Sequence, residues 1–307
     1  MNYKIVVTGG SGYIGQRLIE GYLEKYNSDI LVIDKELGSI RDERVKYIKA
    51  DLSSSDLYPI ILENKDYFEE GLIYHLSGLY VKDIAMRKKI KPIEYEINNV
   101  IATQNFTNAL LRSKIGLNAF IFSSTILCNS DPAIRRDSYP LSKLKAEEII
   151  RDLHEICGSI SVLRLARVLG SGYQNYIQTD IISDFMNNFL SKDNKQIFIK
   201  KSKNKKNYIH ISDIVKILLS IPNKIEGYRE KDIGTQKSIE IGNLAEILFD
   251  YLQENSLITN DMDLILEEND DVTELNQRIE SDIDLDYRSS YDVIKKTMQE
   301  YLKIMVL

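Results

Sequence analysis

The sequence predicts an α/β protein with a doubly wound parallel sheet and a smaller, interwoven C-terminal lobe. Short apolar runs alternate with longer helical patterns from the N-terminus to Leu165. The first of these runs leads into a glycine-rich loop, the connection that opens a strand–helix–strand unit. The chain has 307 residues, a length at which a single core tends to split, so a second lobe is expected.

The strand candidates are rich in Ile, Val and Tyr, and most are apolar on both faces, as strands of a buried parallel sheet are. They are Tyr3–Thr8, Ile30–Asp34, Val45–Ile48, Leu72–Leu76, Phe120–Ser123 and Ser161–Leu165. Helices are predicted between them over Tyr13–Tyr26, Ile93–Arg112 and Tyr139–Ile156. Strands that alternate with helices in this way are joined by right-handed crossovers, which make the sheet parallel.

The rhythm of the sequence changes after Gly170, and a second lobe is predicted there. Its expected elements are a helix over Ile181–Leu190, a strand over Gln196–Ile199, a lysine-rich turn over Lys200–Lys206, a helix from Ile239 to about Tyr251, an acidic stretch over Glu267–Asp286 and a last helix from about Ser290. Two intervening segments, Asn207–Ser220 and Asp232–Gly234, are predicted to return to the main sheet as a strand and a helix.

Composition narrows the class of protein. Acidic residues outnumber basic ones by 46 to 40, and a net charge of −6 argues against a nucleic-acid binder, whose surface is usually basic. Cys128 and Cys157 are too few for a disulfide framework and predict buried thiols in a reducing compartment. The chain opens on a strand pattern and holds no apolar run of about 18 residues, so we expect a cytoplasmic protein without a membrane span.

The loop after the first strand has the composition of a phosphate-binding turn. Gly9, Gly12 and Gly15 let the backbone turn tightly, approach a pyrophosphate closely and pack the helix on the strand. The pyrophosphate would lie at the helix N-terminus, beside Tyr13 and Ile14, where unpaired N–H groups favour negative charge. A glycine triplet also fits a plain turn, but here a strand precedes it and a helix follows. The loop therefore predicts a dinucleotide site.

Asp34 ends the second predicted strand, where a carboxylate would accept hydrogen bonds from an adenosine ribose. A 2′-phosphate at this place would meet like charge, so the sequence favours NAD over NADP. The neighbouring Lys35 weakens that preference, and a solvated carboxylate after a strand is the alternative interpretation of Asp34.

A second group of residues predicts acid–base chemistry. Tyr139 and Lys143 are four residues apart and share one face of a predicted helix, so the ammonium favours the phenolate and lowers the tyrosine pKa from about 10. Ser123, Ser124 and Thr125 end the fifth strand, at the carboxyl edge where open α/β sheets bind ligands. A hydroxyl there can hydrogen-bond a substrate alcohol or a developing oxyanion.

With these motifs the sequence resembles the extended short-chain dehydrogenase/reductases of Rossmann-type fold, the branch of NAD-dependent sugar-nucleotide epimerases, dehydratases and ketoreductases. The segments that carry the resemblance are Thr8–Gly15, Asp51–Leu52, His75–Gly78, Asn99–Thr103, Tyr139–Glu147, Leu163–Arg164, Val168–Gly170 and Tyr208–Val215. The likeness spans nearly the whole chain.

The resemblance implies a role for individual residues. Tyr139 is then the acid/base, Lys143 holds the nicotinamide ribose and tunes Tyr139, and Thr125 orients the reacting sugar hydroxyl. The further cofactor contacts that it implies are Asp51, Leu52, Ser77, Asn99 and Ser123. The substrate contacts that it suggests are Ser124, Arg167, Lys206 and Arg278. The lysine-rich segment is then either a solvated turn or a contact to the substrate diphosphate.

The resemblance also implies an organisation for the chain. Residues 1–170 and 206–238 would form the dinucleotide-binding domain, and residues 171–205 and 239–307 the substrate-binding lobe. The family likeness suggests a homodimer through the helices Ile93–Arg112 and Tyr139–Ile156. The histidines have no metal-ligand spacing, so no metal site is predicted.

The activity expected from the resemblance is epimerisation of a nucleotide-diphosphate hexose by transient oxidation at C4, with NAD as cofactor. Ile126 and Leu127 follow Thr125, so the Thr-Asp-Glu signature of the 4,6-dehydratases is absent. Leu127–Asn129 also replaces the usual Val-Tyr-Gly of the family, which changes the wall of the sugar pocket. The alternatives are a reductase of a nucleotide-linked 4-keto-6-deoxy sugar and a non-catalytic NAD(P)-binding regulatory protein. Retention of Tyr139, Lys143 and Thr125 together argues against the latter.

Overall fold

The structure is a computed structural model that describes residues 3–80, 89–130, 132–177, 180–191, 196–202, 205–220, 227–259, 261–269 and 289–305. The chain divides into two compact units, each built from two stretches. The first unit comprises Met1–Leu165 and Ile214–Asp232, and the second comprises Ala166–Asp213 and Ile233–Leu307.

A seven-stranded sheet is the frame of the first unit. Its strands are β1 (Lys4–Thr8), β2 (Asp29–Asp34), β3 (Val45–Lys49), β4 (Leu72–His75), β5 (Leu117–Thr125), β6 (Cys157–Leu165) and β11 (Gly227–Ile233). They lie in the order β11-β6-β5-β4-β1-β2-β3, and the five pairs among the first six strands are all parallel. The chain reverses direction across the sheet at β1, which places the ends of β1 and β4 beside each other. The predicted α/β fold class is therefore confirmed.

The described helices of the first unit are α1 (Tyr13–Lys25), α2 (Leu57–Glu63), α3 (Lys65–Phe68), α4 (Pro92–Tyr95), α5 (Ala102–Ser113), α6 (Pro132–Arg135) and α7 (Ser138–Ile149). The second unit contains α8 (Ile181–Phe189), α10 (Ile241–Glu254) and α11 (Ser290–Met305), and α9 (Ile211–Ser220) begins in the second unit and continues in the first. Within the described ranges no helix is long and apolar enough to cross a membrane.

Two predicted helices differ in detail from the structure. The helix expected over Ile93–Arg112 is divided into α4, a π-helix over Glu96–Ile101 and α5. The π-turn surrounds Asn99, whose side chain is buried in hydrogen bonds, and such turns frequently occur at functional sites. The helix expected over Tyr139–Ile156 ends as α7 at Ile149 and continues as a 3₁₀-helix over Ile150–Glu155.

The prediction that the segment after Asn207 supplies a strand of the main sheet was wrong. Tyr208–His210 forms β10, which pairs in parallel with β7 (Arg167–Leu169) in a separate two-stranded sheet. The side chain of Asn207 holds this segment in place: its Nδ2 donates to the Thr235 carbonyl at 2.7 Å, and its Oδ1 accepts from the Thr235 N–H at 2.9 Å. The edge place in the main sheet belongs to β11, which contains Asp232.

The lysine-rich turn and the acidic stretch were also predicted incorrectly in part. The strand expected to end at Ile199 continues to Ser202 as β8 (Gln196–Ser202), and Lys205–Lys206 forms β9, antiparallel to β12 (Ile239–Glu240). The acidic stretch begins inside a strand, β13 (Asp263–Asn269), which is the parallel partner of β8. Alternation in β13 is hidden by its charged end, so periodicity alone missed it. The rest of the acidic stretch, including Arg278, lies outside the described residues.

Buried aromatic side chains lock the core of the first unit. The Tyr22 and Tyr74 hydroxyls lie 2.5 Å apart, and Tyr74 donates to the Leu218 carbonyl at 3.0 Å. Since that donation uses the hydroxyl proton of Tyr74, Tyr22 donates to Tyr74.

Cys128 and Cys157 are both buried free thiols, which confirms the prediction that they are buried and unpaired.

Candidate active site

The glycine loop between β1 and α1 is shaped by close backbone packing. Gly9 has a φ of +72°, and a Cβ there would lie 2.6 Å from the Ser77 backbone nitrogen. A Cβ at Gly15 would lie 2.4 Å from the Gly9 carbonyl oxygen, whereas one at Gly12 would lie 3.2 Å from it. No side chain caps the N-terminus of α1, which begins at Tyr13. The loop thus brings the carboxyl ends of β1 and β4 close to the uncapped N-terminus of α1. Ile14 lies in the first turn of α1.

Asp34 lies beside this loop at the end of β2. Its Oδ2 accepts the Ser11 N–H at 3.0 Å, and its Oδ1 accepts the Glu36 N–H at 3.4 Å. A carboxylate has about four lone-pair sites, so these two bonds leave capacity for a further donor such as a ribose hydroxyl.

Lys35 forms an ion pair with Asp51. Its ammonium lies 3.1 Å from Asp51 Oδ2 and donates to Asn98 Oδ1 at 2.7 Å. Burial alone would raise the pKa of Asp51, but hydrogen bonds from Ser53 and the ion pair with Lys35 outweigh it and lower that pKa. Leu52 is buried next to this ion pair in the sequence. Lys35 is therefore neutralised locally, and it does not create a patch of net positive charge beside Asp34.

A buried histidine joins β1, β4 and α5. His75 Nδ1 lies 2.6 Å from Thr8 Oγ1, and its Nε2 lies 3.0 Å from Thr103 Oγ1. Thr103 donates its proton to the Asn99 carbonyl at 2.7 Å, so it accepts from Nε2–H, and Nδ1 accepts from Thr8. Burial and the charge of Lys143 lower the pKa of His75 to about 3, so this imidazole is neutral.

Asn99 connects the hydrogen bonds of His75 and Thr103 to α7. Its Oδ1 accepts the Leu79 N–H at 2.6 Å, and its Nδ2 donates to Ser142 Oγ at 2.9 Å. The Ser142 hydroxyl in turn donates to the Tyr139 carbonyl at 2.7 Å. A Cβ on Gly78, which has a φ of +158°, would lie 3.0 Å from both Asn99 Oδ1 and Lys143 Nζ. The loop after β4 thus packs closely against the first turns of α7.

Lys143 is buried, and its Nζ donates to the Ser123 carbonyl at 3.0 Å. Burial lowers the pKa of Lys143 to about 8, so the side chain is mainly an ammonium at neutral pH. The hydroxyl of Ser123 bonds the His75 carbonyl at 3.4 Å. Thr125 is buried at the end of β5, and its Oγ1 accepts the Leu127 N–H at 3.3 Å. The structure therefore brings the end of β5 against the face of α7 that carries Lys143.

Tyr139 opens this face of α7 and lies between two other aromatic rings. The Tyr80 ring centroid is 5.1 Å from that of Tyr139, and the Tyr95 centroid is 5.8 Å away, both in tilted geometry. Tyr95 is buried, whereas Tyr80 is 41% exposed. One wall of the Tyr139 ring is thus closed and the other is partly open to solvent. Neither ring was predicted from the sequence. The four-residue spacing of Tyr95 and Asn99 is the one signal that could have placed Tyr95 on the helix face that carries Asn99.

The four predicted substrate contacts lie on different elements of the chain. Ser124 is buried and donates to Glu147 Oε1 at 2.5 Å. Arg167 is half-buried on β7, and Lys206 lies on β9, both in the second unit. Arg278 lies outside the described residues. Their roles remain predictions.

Comparison with known proteins identifies related sequences. The model of the NAD dependent epimerase/dehydratase family matches residues 5–234. A UDP-glucose 4-epimerase of Pasteurella multocida is 28% identical over 200 residues, which are 57% of this chain and 56% of the relative. A dTDP-D-glucose 4,6-dehydratase of Dictyostelium discoideum is 29% identical over 273 residues, 78% of this chain and 60% of the relative. The chain therefore spans less than two thirds of the length of both relatives.

Solved structures show the same architecture. A UDP-N-acetylglucosamine 4-epimerase from Methanobrevibacter ruminantium M1 superposes with a TM-score of 0.73 at 20% identity, covering 99% of this chain and 100% of that one. At this identity the likeness establishes the fold.

Proposed function

Because this chain belongs to the NAD-dependent epimerase/dehydratase family, we propose that it is a nucleotide-sugar epimerase that works by transient oxidation of the hexose at C4. The resemblance predicted from the motifs is confirmed by the family match, and so is NAD as the cofactor. The step to epimerase, to C4 and to a nucleotide-diphosphate sugar is our inference from the residues of the site.

The residues fit NAD. Gly9 and Gly15 stand where a Cβ would collide with backbone atoms, so the loop has the tight form that a pyrophosphate needs at an uncapped helix N-terminus. Asp34 borders that loop with lone pairs to spare for the adenosine ribose. When bound, NAD supplies the reversible two-electron chemistry at the sugar carbon.

The observation that carries the proposal is the buried ammonium of Lys143 one helical turn after Tyr139. A cation held there favours the phenolate of Tyr139, which can take the proton from the C4 hydroxyl as that carbon is oxidised. The same phenol returns the proton when the carbonyl is reduced. The Thr125 hydroxyl, at the carboxyl end of β5, is suited to hold the sugar oxygen during both steps.

The residues after Thr125 favour epimerisation over dehydration. Loss of water from the sugar needs an acid beside the reacting carbons, and here Ile126 is buried and apolar, with Leu127 next. Carboxylates therefore do not follow Thr125 as they do in the dehydratase signature.

The test is turnover by purified protein carrying NAD, with UDP-, GDP-, CDP- and dTDP-sugars and no added reductant. We expect epimerisation of one of them, and Tyr139→Phe should reduce kcat by on the order of 10²- to 10⁴-fold while NAD stays bound. Tyr67→Phe, which changes a partly buried tyrosine on α3, serves as the matched control. Turnover that requires added reduced cofactor would identify a ketoreductase instead. Near-normal turnover by Tyr139→Phe would overturn the assignment of the acid/base.

We also propose that the protein is a homodimer through the helices that begin at Pro92 and Ser138. Ile93, Ile97 and Ile101 lie four residues apart on one face and are 54%, 37% and 39% exposed, and Leu141 of α7 is 42% exposed. Apolar side chains clustered on neighbouring helices are typical of a contact surface. We expect a mass of twice 35.4 kDa by light scattering, and Ile97→Asp should yield monomers while Leu37→Asp, at an exposed position after β2, should not. A monomeric wild type would refute this proposal.

A further inference from the structure

The buried carboxylate of Glu147 lies on α7, the helix that carries the proposed acid/base Tyr139. Glu147 follows Lys143 by one helical turn and is 3% exposed. Arg164 of β6 binds it with two hydrogen bonds, Nε to Oε1 at 3.0 Å and Nη2 to Oε2 at 2.6 Å. The Ser124 hydroxyl donates to the same Oε1 at 2.5 Å. Glu147 therefore joins α7, β5 and β6 at one point.

Arg164 also reaches the turn that follows β5. Its Nη1 donates to Asn129 Oδ1 at 2.9 Å, and its Nη2 lies 2.9 Å from Glu230 Oε2. Asn129 Nδ2 donates to both carboxylate oxygens of Asp232, at 2.8 and 2.9 Å. Asn129 ends the 3₁₀-helix that begins directly after Thr125. The turn is thus fixed at its far end by the same guanidinium that holds Glu147.

These contacts hold Thr125 from both sides. Ser124 precedes it and is tied to Glu147, while Asn129 closes the turn after it and is tied to Arg164. Since Glu147 shares a helix face with Tyr139 and Lys143, the network sets the distance between the end of β5 and that face. We propose that Ser124, Glu147, Arg164 and Asn129 form a brace, the β5–α7 brace, that positions the Thr125 hydroxyl relative to the Tyr139 phenol.

This proposal rests on the proposed function and gives Ser124 a different role from the substrate contact that the sequence suggested. Ser124 is only 5% exposed, and its hydroxyl proton is used by Glu147. Removing a partner from a buried charge network loosens it because the remaining charge loses a hydrogen bond that water cannot replace. Ser124 and Glu147 are therefore positioning residues in this proposal, whereas Thr125 and Tyr139 keep the substrate contacts of the proposed function.

Ser124→Ala is the most selective test, since it removes one hydroxyl and leaves the Glu147–Arg164 pair intact. The matched control is Ser161→Ala on β6: Ser161 is 1% exposed, and its hydroxyl has no hydrogen-bond partner in the described part of the chain. Displacing a reacting group by a fraction of an ångström to 1 Å reduces turnover without weakening binding, so we expect kcat to fall by on the order of 10- to 100-fold in Ser124→Ala. KM should stay within about twofold, and Ser161→Ala should match the wild type. A raised KM with unchanged kcat would make Ser124 a substrate contact and overturn the brace.

Hydrogen exchange of the NAD-bound protein tests the brace without any sugar. We expect faster amide exchange over Thr125–Ser130 and over the first turns of α7 in Ser124→Ala than in the wild type or in Ser161→Ala. Equal exchange in the two serine variants would overturn the brace whatever the turnover. Faster exchange together with no turnover of any nucleotide sugar by the wild type would support the brace and overturn the proposed function.

Discussion

Replacing His75 provides a quantitative test of the buried core beneath the site. The imidazole is 0% exposed and lies between Thr8 and Thr103 as the neutral Nε2–H tautomer. Burial and the Lys143 ammonium lower its pKa to about 3, against an ordinary value of 6.5. Only the unfolded chain binds a proton at this histidine between those two pH values.

The sign and size of the effect follow from that difference. Because the unfolded state binds the extra proton, the free energy of unfolding falls as pH decreases from above 6.5 toward 3. At pH 5 the unfolded chain has gained about 2 kcal/mol relative to pH 8 from His75 alone. Above pH 7 the contribution vanishes, since the imidazole is neutral in both states.

His75→Gln removes this titration and keeps polar atoms between the two threonines. Urea unfolding of the variant and the wild type at pH 5 and pH 8 gives two differences, and we expect the pH-dependent loss to be about 2 kcal/mol smaller in the variant. His154→Gln, which replaces an exposed histidine, is the control substitution. An equal loss in His75→Gln and wild type would show that His75 is protonated in the folded protein, and the assignment of its tautomer would be wrong.

Three further substitutions test the loop, the core and the open wall of the site. Gly15→Ala should abolish NAD binding measured by calorimetry, because its Cβ would lie 2.4 Å from a backbone oxygen. The control Gly158→Ala, whose Cβ would have its nearest atom at 3.6 Å, should bind NAD normally. Equal NAD affinities of the two variants would contradict the packing argument. Tyr74→Phe should lower the free energy of unfolding by about 1–3 kcal/mol, and by more than Tyr22→Phe does. The reason is that Tyr74→Phe removes the hydrogen-bond partner of both the Tyr22 hydroxyl and the Leu218 carbonyl. A larger loss in Tyr22→Phe would refute the donor assignment. Tyr80→Ala should reduce kcat/KM by about 2- to 10-fold, which corresponds to the free energy of one aromatic pair. Tyr80→Phe keeps the ring and should keep the wild-type kcat/KM. A reduced kcat/KM in both variants would assign the role to the hydroxyl instead.

The frame of the first unit could be predicted from sequence because its signals are local. Most of the first six strands are apolar runs that a turn or helix pattern bounds, and three glycines mark the loop after β1, where backbone atoms come too close for a Cβ at Gly9 and Gly15. The positions of Asp34, Tyr139 and Lys143 followed from the same signals, since each stands at a fixed place relative to a strand end or a helix start.

The contacts that tune the site could not be predicted, because they join residues far apart in the sequence. Glu147 finds its partners at positions 124 and 164, and the Tyr139 ring meets Tyr80 and Tyr95 from other elements. A π-helix around Asn99 is likewise invisible to a 3.6-residue period, because one additional residue in a turn leaves most of the pattern intact. Propensity and period describe a residue's own element; they carry no information about the side chain that faces it.

The lysine-rich segment shows how this limit affects a functional inference. Along the chain, Lys200–Lys206 stands out as a positive run, and Glu267 and Glu268 begin a separate acidic one. In the structure these runs are strand partners: the parallel register of β8 and β13 places Glu267 opposite Lys200 and Glu268 opposite Lys201. The backbone register thus pairs the start of one run with the end of the other, and Lys205 of β9 has Glu240 Oε1 4.0 Å from its Nζ. The charge of a segment predicts its ligand only after the partner strand is known.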